Sequence, residues 1–131
     1  MLKRSEARNN AFILLFECAF QSEPDREETL RLAQENHEIL LDDFVLSVFN
    51  GVLDNREALD NTISKYCKNR TIDRLSKMLL TALRIAFYEI DYTETPHAIA
   101  INEAVNLIKT YDSPESASYG NGVLASHVRE K

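Results

Sequence analysis

Apolar residues recur along this chain at intervals of three and four, and no stretch shows sustained alternation of period two. That spacing is the signature of amphipathic helices and excludes half-buried strands. The first helix is predicted over 5–21. Ala11, Leu14, Leu15, Cys18 and Ala19 form one buried stripe, and Phe12, Phe16 and Phe20 form a second at i, i+4, i+8. Two stripes wrap a helix more fully than one core contact requires. Either the helix is central in the domain, or its Phe stripe meets another protein. Pro24 and the acids around it end this helix, and Asp25 is placed to cap a short one over 26–36. A longer helix is predicted over 38–67, with Leu41, Phe44, Val45, Val48 and Val52 early in its stripe and Leu59 and Ile63 later. Gly51 falls inside it without shifting the apolar phase, which points to a neighbour packed close against the backbone. Residues 67–70 read as a connector and Thr71 as the cap of a central helix over 72–91. Thr95-Pro96 and Ser113-Pro114-Glu115 are two further start signals, each a hydroxyl followed by proline. The last helix contains Gly120-Asn121-Gly122, unfavourable in a helix unless packing or contact requires it.

These elements predict an all-α fold, a compact bundle of six or seven helices in one domain spanning 1–131. Its two helical halves cover about 1–68 and 70–131. Composition supports this: three glycines and three prolines leave little material for the tight turns of an all-β fold. No apolar run approaches the roughly 20 residues of a membrane helix. The start of the chain carries no signal-peptide pattern, so a cytoplasmic protein is expected. Cys18 and Cys67 lie far apart and outside any CxxC, and His37, His97 and His127 are scattered. Neither a disulfide, a zinc site, another metal centre nor a cofactor is expected. No phosphate-binding or nucleophile motif is present, so no catalytic residue is assigned and an enzyme is not expected.

The net charge of −6 argues against indiscriminate nucleic-acid binding, but it is unevenly spread. Acids dominate 21–45, among them Glu38, whereas 65–84 holds Lys65, Lys68, Arg70, Arg74, Lys77 and Arg84 against Asp73 alone. Lys3, Arg4 and Arg8 add a basic start. Such segregation allows a local positive surface on an acidic protein.

The segment Leu83-Arg84-Ile85-Ala86-Phe87-Tyr88-Glu89-Ile90, followed by Ala100-Ile101-Asn102-Glu103-Ala104-Val105, sets polar groups among apolar neighbours. Buried charge requires partners, so Arg84, Glu89, Asn102 and Glu103 must pair or serve a function. Arg84 and Glu89 are five apart and project differently, so they need not pair with each other. With Asn121-Gly122-Val123-Leu124 and the start Arg4…Ala7-Arg8…Ala11…Leu14-Leu15-Phe16, these motifs resemble the bacterial transcription antitermination factor NusB family. The resemblance runs nearly end to end, and 21–65 match in helical character only. The chain departs from the family at Phe16, where Tyr is common, at Leu79, where some members carry Glu, and at Gly120, in place of the usual Val.

The resemblance implies an antitermination factor that pairs with NusE, a small-subunit ribosomal protein. The pair would bind single-stranded boxA RNA in the transcription elongation complex and promote transcription of ribosomal RNA operons. It implies RNA contacts from Lys3, Arg4 and Arg8, and from Lys109, Glu115, Ser118, Tyr119 and Asn121. Phe16, Phe12 and an exposed Leu79 would face NusE. The alternative is a helical adaptor or homodimerising module that uses the Phe stripe and binds no RNA. A NusB-like domain also precedes some RNA cytosine methyltransferases; the chain ends at Lys131, which leaves no room for a cofactor-binding domain.

Overall fold

The computed structural model describes residues 2–36 and 39–131; His37, Glu38 and the predicted helix start at 38 lie outside them. Among the described residues there are seven α-helices and no strand. They are α1 (Arg4–Cys18), α2 (Arg26–Asn36), α3 (Asp43–Asp54), α4 (Arg56–Ser64), α5 (Lys77–Tyr92), α6 (His97–Tyr111) and α7 (Pro114–Arg129). The expectation of an all-α bundle holds. No described helix is long and apolar enough to cross a membrane.

α5 is the axis. It packs against α1, α3, α4, α6 and α7, and eleven of its sixteen residues are buried. One apolar core runs from Ala7 of α1 to Leu124 of α7.

Local chemistry sets the helix ends. Asp25 accepts from the Glu28 N–H at 3.1 Å, Asp42 from Val45 at 2.8 Å and Ser113 from Ser116 at 3.0 Å, each satisfying an otherwise orphaned donor. Ser113 with Pro114 behind it opens α7 as its start signal predicts. Several predicted boundaries move, and the first helix, predicted to reach 21, ends at Cys18. The long helix predicted over 38–67 is two helices, broken at Asn55, while Gly51 stays inside the first. The Asn55 side-chain amide and backbone N–H both donate to the Gly51 carbonyl, closing α3 before α4 begins. The central helix starts at Lys77, not 72. Ile72–Arg74 form one 3-10 turn, Leu75 is extended, and Ser76 caps α5 through the Leu79 N–H at 3.0 Å. Thr95 does not cap α6, because its hydroxyl is drawn to Glu89 Oε1 at 3.1 Å; Pro96 occupies the cap position.

Gly51, half-buried, and Gly120, buried, each have a steric reason. A Cβ on Gly51 would lie 2.2 Å from the ring of Tyr88, so α5 reaches α3 only because that side chain is missing. A Cβ on Gly120 would meet Ile108 Cδ1 at 2.8 Å and Leu79 Cδ1 at 3.2 Å.

Candidate nucleic-acid interface

The charges within the apolar segments find partners on other helices. Arg8 donates to Glu89 from Nε at 2.9 Å and from Nη2 at 2.8 Å, joining α1 to α5. Its Nη1 lies 3.5 Å from Glu103 of α6. Burial alone would weaken the Arg8 charge, but Glu89 and Glu103 outweigh it and raise its pKa. Arg84 donates to both oxygens of Asp60 on α4, at 2.7 and 2.8 Å. Asn102 is exposed and belongs to no core network.

This geometry corrects three expected contacts. Arg8 is 5% exposed and committed to Glu89, so its guanidinium has no free face for a phosphate. Leu79 is 1% exposed and faces inward on α5, not toward a partner. Leu79 and Ile108 both pack into the space that a side chain at Gly120 would need. Phe12 is also core, with its ring stacked on Tyr111 at 4.8 Å.

The Phe stripe is graded outward. Phe12 is buried, Phe16 half-buried and Phe20 64% exposed, with Phe16 and Phe20 rings edge to face at 5.1 Å. One stripe thus serves the core at its inner end and leaves apolar surface at its outer end.

The remaining expected RNA residues lie on the surface in two places. Lys3 and Arg4 are exposed at the start of α1, where the Lys3 N–H donates to Glu6. Arg4 sits over the ring of Phe44 at 4.2 Å. Lys109, in the last turn of α6, and Glu115, Ser118 and Asn121 of α7 are exposed, whereas Tyr119 is half-buried. Tyr119 and Ser118 line a recess with Tyr66, Lys68, Asn69, Gly122, Ser126 and Arg129. Arg70 lies over the Tyr119 ring at 4.5 Å, and the Tyr119 hydroxyl donates to the Lys68 carbonyl at 3.4 Å. Burial and the neighbouring Cys67 push the Tyr119 phenol up to about 12, so it stays a neutral donor. Asn69 turns the connector with a left-handed φ of 63°, a conformation Asn tolerates better than most residues. No Cβ at Gly122 would touch anything within 4 Å, which leaves that side of α7 open.

The recess joins an aromatic ring, hydroxyl and amide groups, and the cations Lys68 and Arg129, with Arg70 beside it over the Tyr119 ring. Such a surface suits an unpaired base and its phosphates. Arg129 and Phe44 were not among the residues read as contacts. The basic run over 65–84 points to Lys68 and Arg70, but sequence spacing gives no sign that they meet α7. Among the described residues no cluster of His, Cys, Asp and Glu is arranged to hold a metal ion.

The model of the NusB family matches residues 5–129. The chain belongs to the NusB family. A relative from Acetivibrio thermocellus, the transcription antitermination protein NusB, is 37% identical over 98% of this chain and 90% of its own length. The solved structure of T. maritima NusB is 28% identical and superposes with a TM-score of 0.82 over 98% of this chain and 92% of that one. A chain from the crystal structure of antitermination factors NusB and NusE in complex with dsRNA shares the fold. It is 23% identical, with a TM-score of 0.83 over 98% of this chain and 97% of that one. The NusB fold therefore extends over essentially all of the present helices.

Proposed function

We propose that this chain is a transcription antitermination factor that acts as a heterodimer with NusE on boxA-type single-stranded RNA in the elongation complex. Its effect would be to promote transcription of ribosomal RNA operons. The observation that carries this reading is the family match over 5–129. In support, a protein of the same fold was solved as NusB with NusE and dsRNA.

In this reading Tyr119 stacks on an unpaired base, while Ser118, Asn121 and Glu115 border it on α7. Lys68, Arg70, Lys109 and Arg129, together with Lys3 and Arg4, would supply phosphate contacts. Base contacts would specify the sequence and phosphate contacts would position it. Arg8 supports the fold behind this surface. NusE would take the apolar surface formed by Phe16 of α1 and Phe20 just beyond it, with Phe12 backing Phe16 from inside. The chain would bind and present RNA without catalysing a reaction, at work in the cytoplasm where transcription occurs.

The test is a titration of boxA-like RNA with and without NusE, against a scrambled RNA of equal length. The expected result is selective binding that strengthens when NusE is added. Equal affinity for both RNAs, unchanged by NusE, would sink the antitermination reading. The exposure of Phe20 favours one rival, a homodimerising or adaptor module without RNA binding. It predicts self-association that Phe20→Asp abolishes, with no RNA retained.

A further inference from the structure

Arg4 and Arg8 stand one turn apart on α1, and both guanidinium groups face the same ring. The Arg4 carbon lies 4.2 Å from the centroid of Phe44 and the Arg8 carbon 5.3 Å. Arg8 cannot leave, because Glu89 holds it by two N–H groups in the protein interior. Arg4 is exposed. No carboxylate among the described residues lies within 4.0 Å of its guanidinium, although Asp42 and Asp43 line the same recess. The ring is itself fixed. Phe44 is the second residue of α3, whose first turn is held by the Asp42 cap, and its ring packs against the core.

We infer that Phe44 is a positioning residue: its ring, anchored through Arg8 and Glu89, pre-orients Arg4 for an RNA phosphate. This rests on the proposed RNA-binding function. A free arginine side chain loses much rotamer freedom when it binds, and that loss opposes binding. A guanidinium already held over an aromatic ring has made part of that sacrifice on folding. Its N–H edge remains available for a bidentate phosphate contact. The chain has a sparse basic N-terminus, Lys3 and Arg4 with Arg8 buried. Ordering one exposed arginine compensates for having few.

The test uses the full chain with NusE and boxA-like RNA, in wild type, Phe44→Leu, Arg4→Ala and the double variant. Phe44→Leu is expected to weaken binding roughly two- to fivefold, the range of an exposed cation–π contact. Arg4→Ala is expected to weaken it further and to lower the salt slope by about one phosphate. Phe44→Leu should then add nothing in the Arg4→Ala background. Phe44→Tyr, which keeps the ring, should bind like wild type, and urea midpoints check that each variant folds. In the RNA-free protein, the ring-current shift of the Arg4 side-chain protons should vanish in Phe44→Leu and persist in Phe44→Tyr. Phe44→Leu costing as much without Arg4 as with it would overturn the inference, as would Phe44→Tyr behaving like Phe44→Leu. Selective RNA binding that Arg4→Ala leaves intact would remove this inference and spare the proposed function. Failure of the wild type to bind RNA selectively, with the ring-current shift present, would remove both.

Discussion

Cations meet two different environments in this molecule. At the seam of α1, α5 and α6, Arg8 is enclosed by Glu89 and Glu103, and Thr95 completes the Glu89 hydrogen bonding. Around Tyr119, Arg70 and Arg129 are exposed with no carboxylate partner among the described residues. The seam has its charges satisfied and therefore defines geometry. The rim has donors left over and therefore has something to offer a ligand. A charge alone does not say which role it serves; its partners do.

Removing the seam should have the largest effect. Arg8→Ala leaves Glu89 buried and unpaired, and urea unfolding should register a loss of about 3–5 kcal/mol. Glu103→Gln should cost far less, because that contact is 3.5 Å long and Glu103 is 26% exposed. Equal losses in the two variants would show that the seam works as one charge cluster instead of one dominant pair. Next comes the packing behind the rim. Gly120→Val drives a side chain into Ile108 and Leu79 and should cost about 1–3 kcal/mol. Combined with Leu79→Ala, it should lose less than the two single changes summed, since both compete for one volume.

At the rim the expected losses move from stability to binding. Tyr119→Ala should weaken boxA RNA binding by about 1–3 kcal/mol with helical content retained, measured by titration and circular dichroism. Gly122→Ala, where nothing lies within 4 Å, should instead raise stability by up to about 1 kcal/mol. A loss of stability at Gly122 would mean that the rim is packed like the seam. The smallest effect concerns Asp91. Burial alone would raise its carboxyl, but Lys131 and His127 outweigh burial and hold it below the ordinary 3.8. A depressed acid stabilises the fold fully above its unfolded value, and that contribution fades as pH falls through the lower folded value. Wild type and Asp91→Asn should therefore differ in urea midpoint near neutrality, begin to draw together below about pH 4, and converge beneath the depressed folded value.

Helix class, the Ser113-Pro114 start and the close packing at Gly51 were legible in the sequence because each depends on local spacing or on a missing Cβ. The break at Asn55 was not, since it rests on a side chain folding back onto its own helix while the apolar period continues in phase. Arg8 was misread for a different reason. Its partner Glu89 is 81 residues away, and spacing within α1 cannot distinguish a solvated arginine from one docked on a distant carboxylate. The recess at Tyr119 was half legible. The family motif pointed to α7, but only the fold brings the 66–70 connector against it.

That same separation has a kinetic consequence. α5, α6 and α7 follow one another through short connectors, so their contacts close small loops and can form early. The Arg8–Glu89 pair closes a loop of 81 residues and forms only once α1 has docked. A contact made after the rate-limiting step affects escape from the native state more than arrival at it. Loss of this pair should thus steepen the unfolding rate while leaving refolding nearly unchanged, making one buried guanidinium the latch on the lifetime of the folded protein.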